Sequence, residues 1–230
     1  MKLIFQEKHK AEGDTYSFIF KPKTRSDLVW KAGQYLFYTI PNNNPDNRGV
    51  TRYFTISSAP FEGHVAITTR IFDKPSTFKK SLMKLKSGDE IEASGPDGQF
   101  VIDSDLIGVE DPKRNFVFIS GGIGITPFRS ILKQADHDGQ KLNVKLLYGN
   151  RDEDFVFKSE LESFRKDNPS LKIEYVISPN HIDNLTIEQF SNSSIFYISG
   201  PAPFVRALRD IAKSQGVSKE NIKLDSFPGY

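Results

Sequence analysis

The stretch Phe116–Ser130, FVFISGGIGITPFRS, constrains this chain more than any other. An apolar run of strand-forming residues enters three glycines and leaves as a helix-forming segment. Glycine permits a tight turn and lets a ligand approach the backbone closely. Thr126 is expected as the N-cap of that helix and Pro127 at its first position. The free N–H groups and the positive dipole end then face whatever lies above the turn, which suits a pyrophosphate. The pattern GGxGxTP differs from the GxGxxG of standard dinucleotide folds. A strand–glycine–helix unit of this kind belongs in an open α/β sheet.

The surrounding sequence agrees. Strands are expected at Phe116–Ser120, Leu142–Tyr148, Leu171–Ile177 and Ile195–Ser199. Helices are expected at Pro127–Ala135, near Lys158–Lys166, briefly at Ile187–Phe190, and at Ala202–Gln215. Such alternation means βαβ units and a parallel sheet. Ligands in these sheets sit beyond the carboxyl ends of the strands. Two further segments lie there, Tyr148-Gly149-Asn150-Arg151 and Ser199-Gly200-Pro201. Gly200 offers bare backbone to a planar ring. Arg151 either pairs with a ribose 2′-phosphate, which favours NADPH, or pairs at the surface with Asp152, Glu153 or Asp154.

The first half follows another rule. Leu3–Lys8, Tyr16–Lys21, Gln34–Ile40, Thr51–Ser57, Val65–Ile71 and Glu90–Ser94 are short strand-like runs separated by turn sequences such as PNNNPDNRG. Many short strands at turn-punctuated spacing indicate a small antiparallel barrel. One helix interrupts them. Ser76 or Thr77 is its N-cap, and Phe78, Leu82 and Leu85 recur at helical spacing. The period changes near Asp111–Arg114, so two domains are expected, residues 1–111 and 112–230. A length of 230 residues suits two units of about 100–120.

Composition narrows the function. A net charge of +2 gives no reason for nucleic acid or an anionic membrane as partner. The densest basic run, Lys79, Lys80, Lys84 and Lys86, reads as a solvated helix face or as a docking patch for an acidic protein. The absence of cysteine excludes a disulfide framework, a thiol nucleophile and a Cys-ligated iron–sulfur cluster in this chain. The four histidines, His9, His64, His137 and His181, are scattered, so no metal is expected. The apolar run at the N-terminus is too short for a signal peptide, and no stretch approaches the roughly 18 apolar residues of a membrane span. A cytoplasmic location fits these features. No feature marks an oligomeric state.

Thr51–Pro60, TRYFTISSAP, gains meaning beside a nucleotide domain. Arg52 is suited to bidentate pyrophosphate binding, Phe54 to stacking on a ring and Thr55 to hydrogen bonding at its edge. Strand alternation puts Arg52 and Phe54 on one side and Thr55 on the other, so a bend in the strand end is required.

At this point the chain resembles the ferredoxin–NADP reductase family of flavoenzymes, as a compact free-standing member, over essentially its whole length. Gly33-Gln34-Tyr35 resembles the family's GQ-aromatic strand, and Arg52-Tyr53-Phe54-Thr55 its RxYS/T flavin motif. Ser76-Thr77-Phe78-Lys79 resembles its second phosphate segment. It is followed by Gly88-Asp89 and by the turn Gly95-Pro96-Asp97-Gly98-Gln99-Phe100. Gly121–Pro127 resembles the nicotinamide-dinucleotide motif, Ser199-Gly200-Pro201 the CGP motif, and Phe227–Tyr230 an aromatic tail. The resemblance implies a six-stranded antiparallel flavin barrel followed by a five-stranded parallel sheet. It implies FAD in the first and NAD(P)H as electron donor in the second.

By position, Arg52 would bind flavin phosphate, Phe54 would stack on the isoalloxazine and Thr55 would hydrogen-bond near N5. Ser76 or Thr77 would hold phosphate, and Gly121, Gly122, Gly124 and Thr126 would cradle the nicotinamide-side pyrophosphate. Ser199 stands where many members have a cysteine that helps seat the nicotinamide. Phe54 stands where many have tyrosine. Asp225 is the carboxylate nearest Phe227. Phe227 or Tyr230 is expected to cover the open flavin face, the alternative being a frayed tail. The expected activity is hydride transfer from NAD(P)H to flavin, with electrons passed to a separate carrier such as ferredoxin or flavodoxin. Alternatives are an NAD(P)H:flavin reductase that holds flavin loosely, a non-catalytic flavin-binding subunit, and a nucleotide module without flavin. Flavin retention and NAD(P)H-driven bleaching separate them.

Overall fold

A computed structural model describes residues 1–24, 28–103, 115–178, 180–190 and 192–227. The expected change of period at Asp111–Arg114, the boundary between residues 111 and 112, and Tyr230 lie outside the described residues.

The first half forms strands β1 (Lys2–Lys10), β2 (Thr15–Pro22), β3 (Tyr35–Thr39), β4 (Thr51–Thr55), β5 (Val65–Arg70) and β6 (Glu90–Asp97). They make one antiparallel sheet in the order β4-β3-β6-β1-β2-β5, curled into a half-barrel. Its ends approach each other just beyond β4. There the Ser57 amide donates to Ala66 O at 2.9 Å, and the Ser57 hydroxyl meets Thr68 Oγ1 at 2.9 Å. Inward-facing Phe5, Phe18, Phe20, Leu36, Tyr38 and Ile67 fill the barrel. The helix α1 (Thr77–Lys84) adds Phe78 and Leu82 to that core. Its N-cap is Ser76, whose Oγ accepts from the Lys79 amide, one of the two expected caps.

The second half forms β7 (Phe116–Gly121), α2 (Ile125–His137), β8 (Val144–Asn150), α3 (Lys158–Asp167), β9 (Leu171–Ile177), α4 (Asn184–Ile187), β10 (Ile195–Pro201), α5 (Ala202–Ser214) and β11 (Ile222–Phe227). Five parallel strands order as β11-β10-β7-β8-β9. From β7 the chain steps outward through β8 and β9, then returns to the other side of β7 as β10. The order therefore reverses between β7 and β10, which is where such sheets bind ligands. One face packs on α2 and α3 through Phe118, Phe128, Leu146 and Leu161. The other packs on α5 through Ile119, Phe196, Val205 and Leu208.

The start of the first helix after the glycine turn and the place of the short helix before β10 differ from expectation. The α2 helix starts at Ile125 after a 3-10 turn at Gly122–Gly124, so Gly124, not Thr126, is its N-cap and Pro127 is its third residue. The Thr126 hydroxyl donates back to Ile123 O at 3.2 Å instead of capping. The short helix before β10 lies one turn earlier than expected because Asp183 Oδ1 accepts from the Thr186 amide and hydroxyl at 3.0 and 2.9 Å. The fifth strand, β11, which the family resemblance implies, is present at the edge of the sheet beside β10. Its sequence IKLDSF is short and half polar and reads poorly as a strand without its neighbour.

The halves are joined by more than a linker. Phe100, which follows β6, is buried in the core of the second sheet beside Phe128 and Tyr197. Tyr197 Oη donates to Val101 O at 2.8 Å. Gly33 lies beneath this segment at φ +98°, where a Cβ would stand 2.0 Å from Phe100 O. No helix among the described residues is long and apolar enough to cross a membrane.

Candidate active site

Between the half-barrel and the carboxyl ends of the parallel strands lies a cavity of about 620 Å³, a size suited to a cofactor. The barrel supplies Tyr53, Phe54 and Thr55 of β4, Arg70 and Phe72 at the end of β5, and Lys79 of α1. The sheet supplies Gly121, Gly122 and Thr126, Asn150 and Arg151, Pro201, Phe204 and Phe227.

Tyr53, Phe54 and Thr55, consecutive on β4, all line this cavity. Phe54 stacks on Phe78 of α1, with ring centroids 5.7 Å apart and planes at 30°. That contact fixes the ring's attitude. Tyr53 Oη donates to Ser226 O at 3.1 Å, tying β4 to β11.

Behind Thr55 two hydroxyls converge on one carboxyl. Ser199 is fully buried on β10 and lies in parallel register with Asp225 on β11. Its Oγ donates to Asp225 Oδ2 at 3.2 Å. Thr55 Oγ1 makes a longer contact, 3.4 Å, to the same oxygen. Burial pushes the Asp225 carboxyl up to about 6, although the hydroxyls of Ser199 and Thr55 favour its charged form. An acid poised near neutrality, one hydroxyl away from a cavity, can hold or release a proton there.

The glycine turn is built by close contacts. A Cβ on Gly124 would stand 2.3 Å from Ser199 O, and one on Gly121 would stand 3.0 Å from the Phe204 ring. Gly200 has φ +154° and packs against Gly121 and Phe204. Among the described residues, a Cβ on Gly122 would meet Arg70 and Asn150 at 3.8 Å. Arg151 is exposed at the rim and makes no ion pair with Asp152, Glu153 or Asp154.

Arg52 does not line the cavity. Its side chain is 2% exposed. It donates to Asp46 Oδ1 at 2.7 Å and to Arg48 O, Gly49 O and Thr51 O at 2.7, 3.1 and 2.7 Å. Asp46 also accepts from the Thr77 amide at 3.3 Å, and its own amide donates to Thr77 Oγ1 at 2.9 Å. Burial works to raise the Asp46 carboxyl. The hydrogen bonds of Arg48 and Thr77, with the charge of Arg52, lower it to about 2. Asp46 therefore fills the anion-binding corner formed by Arg52 and the N-terminus of α1. Ser76 serves as the helix cap.

Residue type alone does not single out Asp46, Arg70 or Phe72, and Lys79, which in the basic run reads as part of a solvated helix face or a docking patch, is buried and lines the cavity. The identity of Asp46 as a turn residue hid its role, because Asp is common in turns. The residues present fit a flavin, with aromatic walls at Tyr53, Phe54, Phe72 and Phe227, a hydroxyl at Thr55 and a glycine turn opposite.

Comparison with known proteins agrees with this geometry. The family model described as an oxidoreductase FAD-binding domain matches residues 2–102, and that described as an oxidoreductase NAD-binding domain matches residues 118–210. The toluate 1,2-dioxygenase electron transfer component of Pseudomonas putida is 26% identical over 93% of this chain and 63% of its own length. Flavohemoprotein A of Dictyostelium discoideum is 26% identical over 98% of this chain and 60% of its own. This chain thus spans about 60% of such curated relatives. Among solved structures, the ferredoxin–NADP+ reductase of Plasmodium falciparum superposes with a TM-score of 0.78 at 21% identity, covering 98% of this chain and 95% of that one. An Amycolatopsis cytochrome P450 reductase gives a TM-score of 0.81 at 20% identity, covering all of this chain and 71% of its own. These two show the shared fold. With a FAD-binding domain followed by an NAD-binding domain, and the cavity between them, the chain belongs to the ferredoxin–NADP reductase family of FAD- and NAD(P)H-dependent oxidoreductases.

Proposed function

We propose that this chain takes hydride from NAD(P)H onto bound FAD and hands electrons on to a separate redox protein. Residues 1–111 form the flavin half and 112–230 the nicotinamide half. Flavin, when bound, supplies the N5 atom that accepts hydride and later releases electrons. The observation that carries the reading is the convergence of Thr55 and Ser199 on Asp225 beside an aromatic-walled cavity shared by both halves. Phe54, backed by Phe78, orients a flat ring. Thr55 Oγ1 faces the ring's edge and relays a proton to or from Asp225 Oδ2. The turn Gly121–Thr126 seats the nicotinamide-side diphosphate. Phe227, the last described residue, covers the cavity and moves aside for nicotinamide.

The electron acceptor is a small carrier of the ferredoxin or flavodoxin kind, or the oxygenase-type partner that relatives described as an electron transfer component and a cytochrome P450 reductase suggest. A second reading, an NAD(P)H:flavin reductase with flavin as a passing substrate, is favoured by one observation. Arg52 is already engaged by Asp46 and three carbonyls. The test is the absorbance of gel-filtered protein, followed anaerobically with NADPH and then NADH. Flavin bands that bleach support the main reading. Bands that persist with both nucleotides overturn it, and no bands favour the second. Phe227→Ala should change nicotinamide affinity or the bleaching rate by about tenfold; unchanged values for both remove the lid role.

A further inference from the structure

Two segments leave the cavity side by side. Thr55 of β4 and Thr126 of α2 both line it. Beyond Thr55 the barrel chain runs through Ser57, Ser58 and Phe61 to Glu62. Beyond Thr126, α2 carries Arg129, Ser130, Gln134 and His137 on the same face. The two segments are joined in step. Arg129 Nη1 donates to Ser57 O at 3.0 Å, and Ser130 Oγ donates to Ser58 O at 2.7 Å. The Phe61 amide donates to Gln134 Oε1 at 3.1 Å. The Phe61 ring stacks on His137, with centroids 4.0 Å apart and planes at 11°. Ser57, Ser58 and Ser130 are buried, so losing one of these donors leaves a carbonyl in a dry site. The amide and hydroxyl of Ser57 bind Ala66 and Thr68 of the barrel. Its carbonyl belongs to α2.

Arg129 closes the joint. Its five N–H donors are all engaged. Nε donates to Glu160 Oε2 at 2.8 Å, Nη1 to Ser57 O and Glu62 Oε2, and Nη2 to Glu62 Oε1 at 3.1 Å and Glu160 Oε1 at 2.9 Å. A planar fork meets three fixed partners at once, which an ammonium on a flexible stem does not. Phe100 supplies apolar burial between the halves. The joint along α2 supplies register, because hydrogen bonds tolerate little displacement.

We propose that Arg129 is a positioning residue for hydride transfer. It holds Ser57, two residues beyond Thr55, against α2 at a point three residues beyond Thr126. In this way it sets the separation between the flavin edge and the nicotinamide seat. The inference rests on the flavin reading given above. Arg129 is not among the residues that line the cavity, so it acts through the backbone it holds. Hydride moves only when the reacting atoms come within about 3–3.5 Å, and a misplacement of about 1 Å costs about 100-fold.

Arg129→Lys, which keeps the charge and loses the fork, and Ser130→Ala, which removes one donor, test this at a temperature where circular dichroism shows both folded. Amide hydrogen exchange is measured over residues 57–62 of the flavin-free protein. FAD and NAD+ affinities follow by titration, and then the bleaching rate at saturating NADH or NADPH. In Arg129→Lys the rate should fall about tenfold or more, with both affinities kept within about threefold. Residues 57–62 should exchange about tenfold faster. Ser130→Ala should move rate and exchange in the same direction by about threefold. An unchanged rate in both variants overturns the proposal. So does a fall in rate matched by an equal loss of FAD or NAD+ affinity, which would mean general loosening. So does a fall in rate with exchange over residues 57–62 unaltered, which would mean a route other than this joint. Bleaching of the unaltered protein alongside any of these outcomes leaves the flavin reading standing; no bleaching of the unaltered protein removes both.

Discussion

Asp225 owes its chemistry to residues far from it in sequence. Thr55 comes from the barrel and Ser199 from β10, and both point at one carboxyl oxygen. Asp225→Asn keeps the shape and removes the proton. Turnover with a one-electron acceptor such as ferricyanide should fall about 100-fold and should lose its pH dependence near 6. A variant with the original rate and profile would exclude Asp225 from the proton path. The same group predicts a stability trend. A carboxyl raised to about 6 on folding binds its proton more tightly folded than unfolded. Its contribution is therefore greatest below the ordinary aspartate range, about pH 4, and is lost as the pH rises through 6. Melting curves between pH 4 and 8 should show Asp225→Asn gaining on the unaltered chain as the pH rises. At this scale the sequence exposed residue types but not their partners. Lys79 and Lys80 are adjacent and chemically alike, and only the turn of α1 buries the first and exposes the second.

Helix α2 shows how one element serves both halves. Its N-terminus follows the glycine turn, while its outer side carries Arg129, Ser130, Lys133 and Gln134 toward the barrel. Ser130 Oγ donates to Ser58 O at 2.7 Å, and Arg129 Nη1 donates to Ser57 O at 3.0 Å. Arg129 also binds Glu62 of the barrel, and Glu160 of α3 at 2.8 Å, with Lys133 beside both. Burial works to raise the Glu62 carboxyl, but these cations hold it below its ordinary value. Arg129→Met leaves two largely buried carboxylates with a single lysine. It should destabilise the protein by about 3 kcal/mol, measured by chemical denaturation; a loss below 1 kcal/mol, which is about the worth of an exposed pair, would place the network at the surface. Strongly periodic elements were legible in the sequence. The start of α2 was not, because a 3-10 turn and an α-helix share the same short-range residue preferences. Nor was β11, whose side chains alternate weakly and whose ladder comes entirely from β10.

The molecule as a whole behaves as two sheets sharing side chains across their junction. Phe100 leaves the barrel and is buried under the second sheet. Phe100→Ala should cost about 3–5 kcal/mol and split a single unfolding transition into two, seen by calorimetry; one unchanged transition would show that the halves do not couple chiefly through Phe100. The division into an antiparallel half and a parallel half was readable along the chain, because strand period, turn residues and βα alternation are local properties. So was the glycine turn, since backbone freedom belongs to a residue type. The acid at the site, the buried lysine and the corner filled by Asp46 were decided only in three dimensions. They depend on burial and on partners brought together across tens to hundreds of residues, and neither leaves a mark on neighbouring letters of the sequence.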